Sequence, residues 1–149
     1  MTEPARVVLK AVDTRDLLAM IGHLDETIRE LALIATGLAE GVAPTVDLHI
    51  LRVMDRTRPV LFAAKESISR QAAEAWDAGR PTVDVVIELP AGSAANVMEV
   101  LEALEEVDEV SRRDDALLLP KASVRVAEFR RWFFCQVADE LWRRAGSRP

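Results

Sequence analysis

The sequence predicts a mostly helical α+β domain, with about five helices packed on one small two-stranded sheet. Three observations carry this. Long stretches repeat apolar residues at helical spacing, most clearly Leu17, Ile21, Leu24, Ile28 and Leu31. Only two short stretches, 6–12 and 83–89, alternate with the period of a strand. Each of these runs directly into a helical pattern. A length of 149 residues fits a single domain spanning 1–149. A chain that long buries roughly 68–70% of its unfolded surface and needs no covalent staple. Aromatic residues make up only 5% and Tyr is absent, so Leu, Val, Ile and Ala must build the core.

The first strand is the valine-rich run from Arg6 to Val12. Asp13 or Thr14 caps a long helix reaching about Glu40. Leu33, Ile34 and Leu38 widen its apolar stripe, so this helix is either central or meets a partner. Gly37 and Gly41 loosen its end, and Val42-Ala43-Pro44 breaks the chain. A shorter helix from about Thr45 to Arg56 buries Leu48, Leu51 and Met54. Pro59 then reads as the first-turn proline of a separate helix, running to about Trp76. That helix buries Leu61, Ala64, Ile68 and Trp76, and Asp77-Ala78-Gly79-Arg80-Pro81 stops it.

The second strand alternates cleanly. Val85, Ile87 and Leu89 point one way, and Asp84, Val86 and Glu88 the other. An acidic helix from about Ser93 to Arg112 buries Val97, Val100, Leu101, Leu104 and Val107 and carries Glu99, Glu102, Glu106 and Glu109 on its back. Leu117-Leu118-Leu119-Pro120 connects it to a last helix, from about Ser123 to Arg143. This helix buries Val126, Phe129, Phe133, Val137 and Leu141.

The chain echoes itself. Val7-Val8-Leu9-Lys10 matches Val85-Val86-Ile87-Glu88, and Leu17, Met20, Ile21 and Leu24 match Val97, Val100, Leu101 and Leu104. Two origins fit: a strand-helix-helix duplication with halves 6–78 and 83–143, or chance alignment of amphipathic helices of similar period. If the strands pair with Val8 opposite Val86, Arg6 and Lys10 face Asp84 and Glu88 in either strand direction.

A net charge of −6 and a pI near 5.0 repel a phosphate backbone over most of the surface, which argues against nucleic acid as a partner. Cys135 stands alone and forms neither an internal disulfide nor a multi-cysteine metal site. The N-terminal residues lack a signal-peptide pattern, and no apolar run approaches the ~20 residues of a membrane span. The expectation is a cytoplasmic protein without a membrane partner.

Ala78-Gly79-Arg80-Pro81-Thr82-Val83-Asp84, Leu89-Pro90, the helix through Leu101 to Val110, Leu117-Leu118-Leu119-Pro120 and Val124-Arg125-Val126-Ala127-Glu128-Phe129-Arg130-Arg131-Trp132 follow one another in a recognisable order. This block resembles a helical module of actinobacterial signalling proteins. There the module occurs with histidine-kinase-like ATPase domains, as in anti-sigma regulators and sensor kinases. The resemblance covers mainly residues 78–137. It implies a signalling context and a protein partner, such as a signalling ATPase or regulator. The chain shows no Asn-rich box and no Gly-rich ATP lid, so the resemblance does not imply ATP binding or kinase activity.

Candidate chemistry is sparse. His23, within Ile21-Gly22-His23-Leu24-Asp25-Glu26-Thr27, lies about 120° from the centre of its helix's apolar stripe and is the one candidate phosphoacceptor. No proline follows it at the usual place and no flanking cation would receive phosphate; a plain surface or boundary histidine is the competing reading. His49, between Leu48 and Ile50, reads as packing. The carboxylates Glu99, Glu102, Glu105, Glu106, Asp108 and Glu109 lack a histidine companion and read as a solvated face rather than a metal site. Arg125, Arg130, Arg131, Arg143, Arg144 and Arg148 make the last helix basic, which suits either an anionic partner or the neighbouring acidic helix; the second is preferred.

Trp132 and Phe134 fall off the stripe of Phe129 and Phe133, which points to an interface built on Phe129, Arg130, Arg131, Trp132 and Phe134. The functional expectation is a non-enzymatic, dimeric interaction module of bacterial signal transduction, with no cofactor or metal. A phosphorelay role through His23 and a small-ligand sensor with a pocket between the helices are the rivals.

Overall fold

In a computed structural model of the chain, residues 3–113 and 121–146 are described. The order is β1 (Ala5–Asp13), α1 (Thr14–Ala39), α2 (Leu48–Asp77), β2 (Thr82–Leu89), α3 (Ala94–Arg113) and α4 (Val124–Ala145). The connector Leu117-Leu118-Leu119-Pro120 lies outside the described residues.

The two strands pair antiparallel with Val8 opposite Val86 and Arg6 opposite Glu88. Lys10 Nζ lies 3.4 Å from Asp84 Oδ2. Register and charge pairing follow the sequence reading, and the structure adds the direction. It also adds a bulge between Leu9 and Val12, where Ala11 adopts φ 51° and its N–H donates to Asp84 Oδ1 at 2.9 Å. The alternation of β2 sends Val83, Val85, Ile87 and Leu89 into the core, where they join Val7, Leu9 and Val12 of β1.

Strand passes into helix without a loop because Asp13 ends β1 and its side chain also accepts the Asp16 N–H, capping α1. Thr14 ties this junction to the turn before β2: its N–H donates to Pro81 O and its hydroxyl to Arg80 O. Gly79, at φ 68°, ends α2, with the Arg80 N–H donating to Ala75 O. Ser123 caps α4 through the Val126 N–H.

Among the described residues there are four helices, where the sequence predicts about five. The stretches expected as two helices on either side of Pro59 form one helix of 30 residues. Proline removes the N–H that Asp55 O would accept and costs about 3 kcal/mol inside a helix. The helix is nevertheless held on both sides of the break: Ile50, Val53 and Thr57 are buried before it, and Ile68, Ala72 and Ala75 after it. The Thr57 hydroxyl donates to Val53 O at 2.7 Å. Tertiary packing thus overrides the local breaker. Trp76, expected in the core, is 53% exposed.

The strand-helix-helix order occurs twice. α2 packs on β2 as α4 packs on β1, and α1 meets α4 as α3 meets α2. Gln71 of α2 fixes its helix to the sheet edge: its Nε2 donates to Val86 O at 2.7 Å, and its Oε1 accepts the Val86 N–H at 2.8 Å. No helix among the described residues is long and apolar enough to cross a membrane.

Candidate functional site

Four features of this fold are able to do chemistry or make contacts: a central cavity, a groove along the α1–α2 hairpin, a buried ion pair between α3 and α4, and the aromatic surface of α4.

The cavity measures about 130 Å³ and lies where α1, α2, β2, α3 and α4 converge. Met20, Ile21 and Leu24 wall it from α1, Ile87 and Leu89 from β2, and Phe133, Phe134 and Val137 from α4. Exposed Arg56, Val60 and Asn96 mark its mouth, between α2 and α3. Its two charged lining residues are both cations, Arg56 and Lys65. Their acid partners stand outside the lining. Arg56 pairs with Glu99, and Lys65 Nζ lies 2.6 Å from Asp25 Oδ1. The Lys65 side chain is only 11% exposed, and its ammonium sits 5.7 Å from the centre of the Phe62 ring.

The second cavity is a groove of about 370 Å³ along the distal part of the hairpin. Ile28, Leu31 and Ala35 line it from α1, and Leu51, Met54 and Phe62 from α2. Asp55 and Arg58 stand on its rim. Leu61 lines both the groove and the central cavity. The same end of the hairpin exposes Leu33 and Val42, each 60% exposed, with Leu38 and Leu48. The broad stripe of the first long helix therefore stays partly uncovered within the chain.

The basic residues of α4 mostly meet acids of the same chain, as the preferred reading of the last helix expects. Arg131 makes a two-pronged contact with Glu105 at 2.8–2.9 Å, and Arg125 pairs with Asp16 of α1 at 2.7 Å. Arg130 pairs with Asp108 in the core, where their side chains are 2% and 5% exposed. Asp108 Oδ1 and Arg130 Nε and Nη1 have no hydrogen-bond partner among the described residues. In these pairs the side-chain hydrogen bond to the acid, followed by its charge, raises the pKa of Arg131 and Arg125.

Of the five interface candidates, Arg130 is therefore buried and Phe134 lines the cavity at 8% exposure. Trp132, exposed, and Phe129, half-buried, remain near the surface with their ring centres 5.7 Å apart, beside exposed Arg131. His23 is half-buried on α1, and its carbonyl accepts the Thr27 hydroxyl at 2.9 Å. His49 is exposed in the first turn of α2, where its N–H donates to Asp47. The acidic face of α3 brings no group of three or more potential metal ligands together among the described residues.

Sequence reasoning missed Asp108, Arg130, Lys65 and Gln71 as interior groups, yet a signal was present. Leu101, Leu104, Asp108 and Ser111 share one helical stripe, as do Val126, Arg130, Phe133 and Val137. A charge on the apolar stripe of each of two neighbouring helices points to a buried pair. Lys65 and Gln71 occupy the same kind of position between Leu61, Ile68 and Ala75. No protein-family model, curated protein or solved structure matches the chain.

Proposed function

We propose that this chain is a non-enzymatic interaction module that self-associates through the distal part of its α1–α2 hairpin. The observation that carries this reading is the apolar groove between those helices, at the same end of the hairpin as exposed Leu33, Leu38, Val42 and Leu48. At about 1.5 Å per residue, α1 and α2 span roughly 39 and 45 Å, against about 30 Å for α3. The body of the domain is too short to cover the whole hairpin.

A second copy is the occupant. Two hairpins packed about a two-fold axis make a four-helix bundle and bury both grooves at once. Asp55 and Arg58 on the rim are self-complementary in such an arrangement, because the acid of one copy meets the base of the other. A regulatory role in bacterial signalling, in the cytoplasm and with a protein partner, is supported by the resemblance of the 78–137 block. Descent of the halves 6–78 and 83–143 from one duplicated unit is supported by their matching order of elements and contacts.

Light scattering tests the reading. The expected mass is twice the 16.5 kDa of the chain, with Ala32→Glu and Ala35→Glu each giving the monomer. A monomer at high protein concentration overturns it. So does a dimer that Trp132→Glu dissociates while Ala35→Glu does not, because the contact then lies on α4.

A further inference from the structure

The central cavity has a composition that core packing does not require. Its walls are mostly apolar, and its volume of about 130 Å³ is close to that of enclosed apolar cavities of roughly 150 Å³ that admit benzene, while a mouth between α2 and α3 gives a ligand access. Empty space of this kind costs stability, because the atoms around it lack partners on one side. A bound apolar body of six to ten heavy atoms, on the order of benzene's size, would restore those contacts.

The charge pattern narrows the class. Arg56 and Lys65 line the cavity and no carboxylate does. Lys65 is the more telling of the two. Its side chain is nearly buried, and an ion pair made there with a ligand is less screened than one in open water. Asp25, its present partner, is 43% exposed and able to turn to solvent when another carboxylate takes its place. Asn96 adds a hydrogen-bonding side chain at the mouth. A cationic ligand would find no carboxylate in the lining to balance its own charge.

We infer that the cavity binds a small apolar monocarboxylate, with its hydrocarbon body among Ile21, Ile87, Val100 and Phe133 and its carboxylate on Lys65 in place of Asp25. The inference does not rest on self-association, since the cavity is complete within one copy.

Calorimetric titration of the full chain with three compounds of similar size tests it: phenylacetate, phenylacetamide and phenethylamine. Phenylacetate should bind at least about tenfold more tightly than the amide, and the amine should not bind measurably. Lys65→Met should reduce phenylacetate to the level of the amide while leaving the amide unchanged, and Lys65→Arg should keep the preference for the anion. Val97→Trp fills the cavity and should abolish binding of both; Ala64→Leu makes the same test if the tryptophan variant fails to fold. Equal binding of all three compounds, no saturable binding at millimolar concentration, or a preference for the anion that survives Lys65→Met overturns the proposal.

Discussion

Breaking the buried pair between Arg130 and Asp108 should be among the most costly single changes in this fold, and removing both partners among the cheapest. The side chains are 2% and 5% exposed, so neither charge has water to fall back on. Taking away one partner of such a pair leaves an unpaired charge in the core and typically costs about 3–5 kcal/mol. At about 2–4 °C per kcal/mol for a domain of this size, Asp108→Leu should lower Tm by roughly 6–20 °C. Arg130→Met should do the same from the other side.

The pair itself is imperfect, because Asp108 Oδ1 and Arg130 Nε and Nη1 lack partners among the described residues. Each orphaned buried polar atom weighs about 1–3 kcal/mol against the folded state. The double variant Asp108→Leu/Arg130→Met removes all three orphans together with the attraction. It should therefore return to within about 1 kcal/mol of the parent or exceed it. Urea unfolding of the four proteins gives the coupling energy directly, provided the m-values agree. Additive losses, or a single variant costing under about 1 kcal/mol, would refute the reasoning, since either shows that the charges are not isolated from solvent.

Two further outcomes follow from the fold. Pro59→Ala should raise stability by about 1–3 kcal/mol in the same urea assay, because it restores a helical hydrogen bond to Asp55 O; the unfolded chain's gain in freedom offsets part of this. Asp84 should titrate below its ordinary 3.8, because the Ala11 N–H donates to its carboxylate and, with the Lys10 charge, outweighs the opposing effect of desolvation. A depressed folded-state pKa means that the stabilisation is present at neutral pH and is lost as pH falls below about 3.8, through the folded pKa. Carboxyl NMR titration checks the midpoint, and Asp84→Asn should flatten the acid limb of the stability profile.

Much of this architecture was legible in the order of residues because local and tertiary demands agree. The alternation of 83–89 gives the buried face of β2, and the opposite charges of Arg6 and Glu88 give the register with Val8 opposite Val86. Charge pairing is blind to strand direction, so the antiparallel sense was not readable. The bulge was not readable either, since nothing about Ala11 as a residue type requests a positive φ. Pro59 misled for the opposite reason: its local preference is strong, but packing on both sides carries α2 through it. At the candidate site, the acidic run around Asp108 and the Arg130-Arg131 pair look like surface chemistry when counted by composition. Helical phase assigns Asp108 and Arg130 to the interior and their neighbours Glu109 and Arg131 to solvent. The cavity could not be read from sequence, because empty space depends on how five elements meet rather than on any one of them.

The bond between Gln71 and Val86 has a consequence for how opening of this domain would be observed. An amide in a sheet is ordinarily shielded from exchange with solvent by the adjoining strand. At Val86 the shielding group is a helix side chain, because the Val86 N–H donates to Gln71 Oε1. Its hydrogen-exchange rate therefore reports whether α2 is seated, while amides shared between β1 and β2 report the hairpin itself. One proton thus serves as a clock for detachment of the helix that walls both the cavity and the groove, separable from unfolding of the rest.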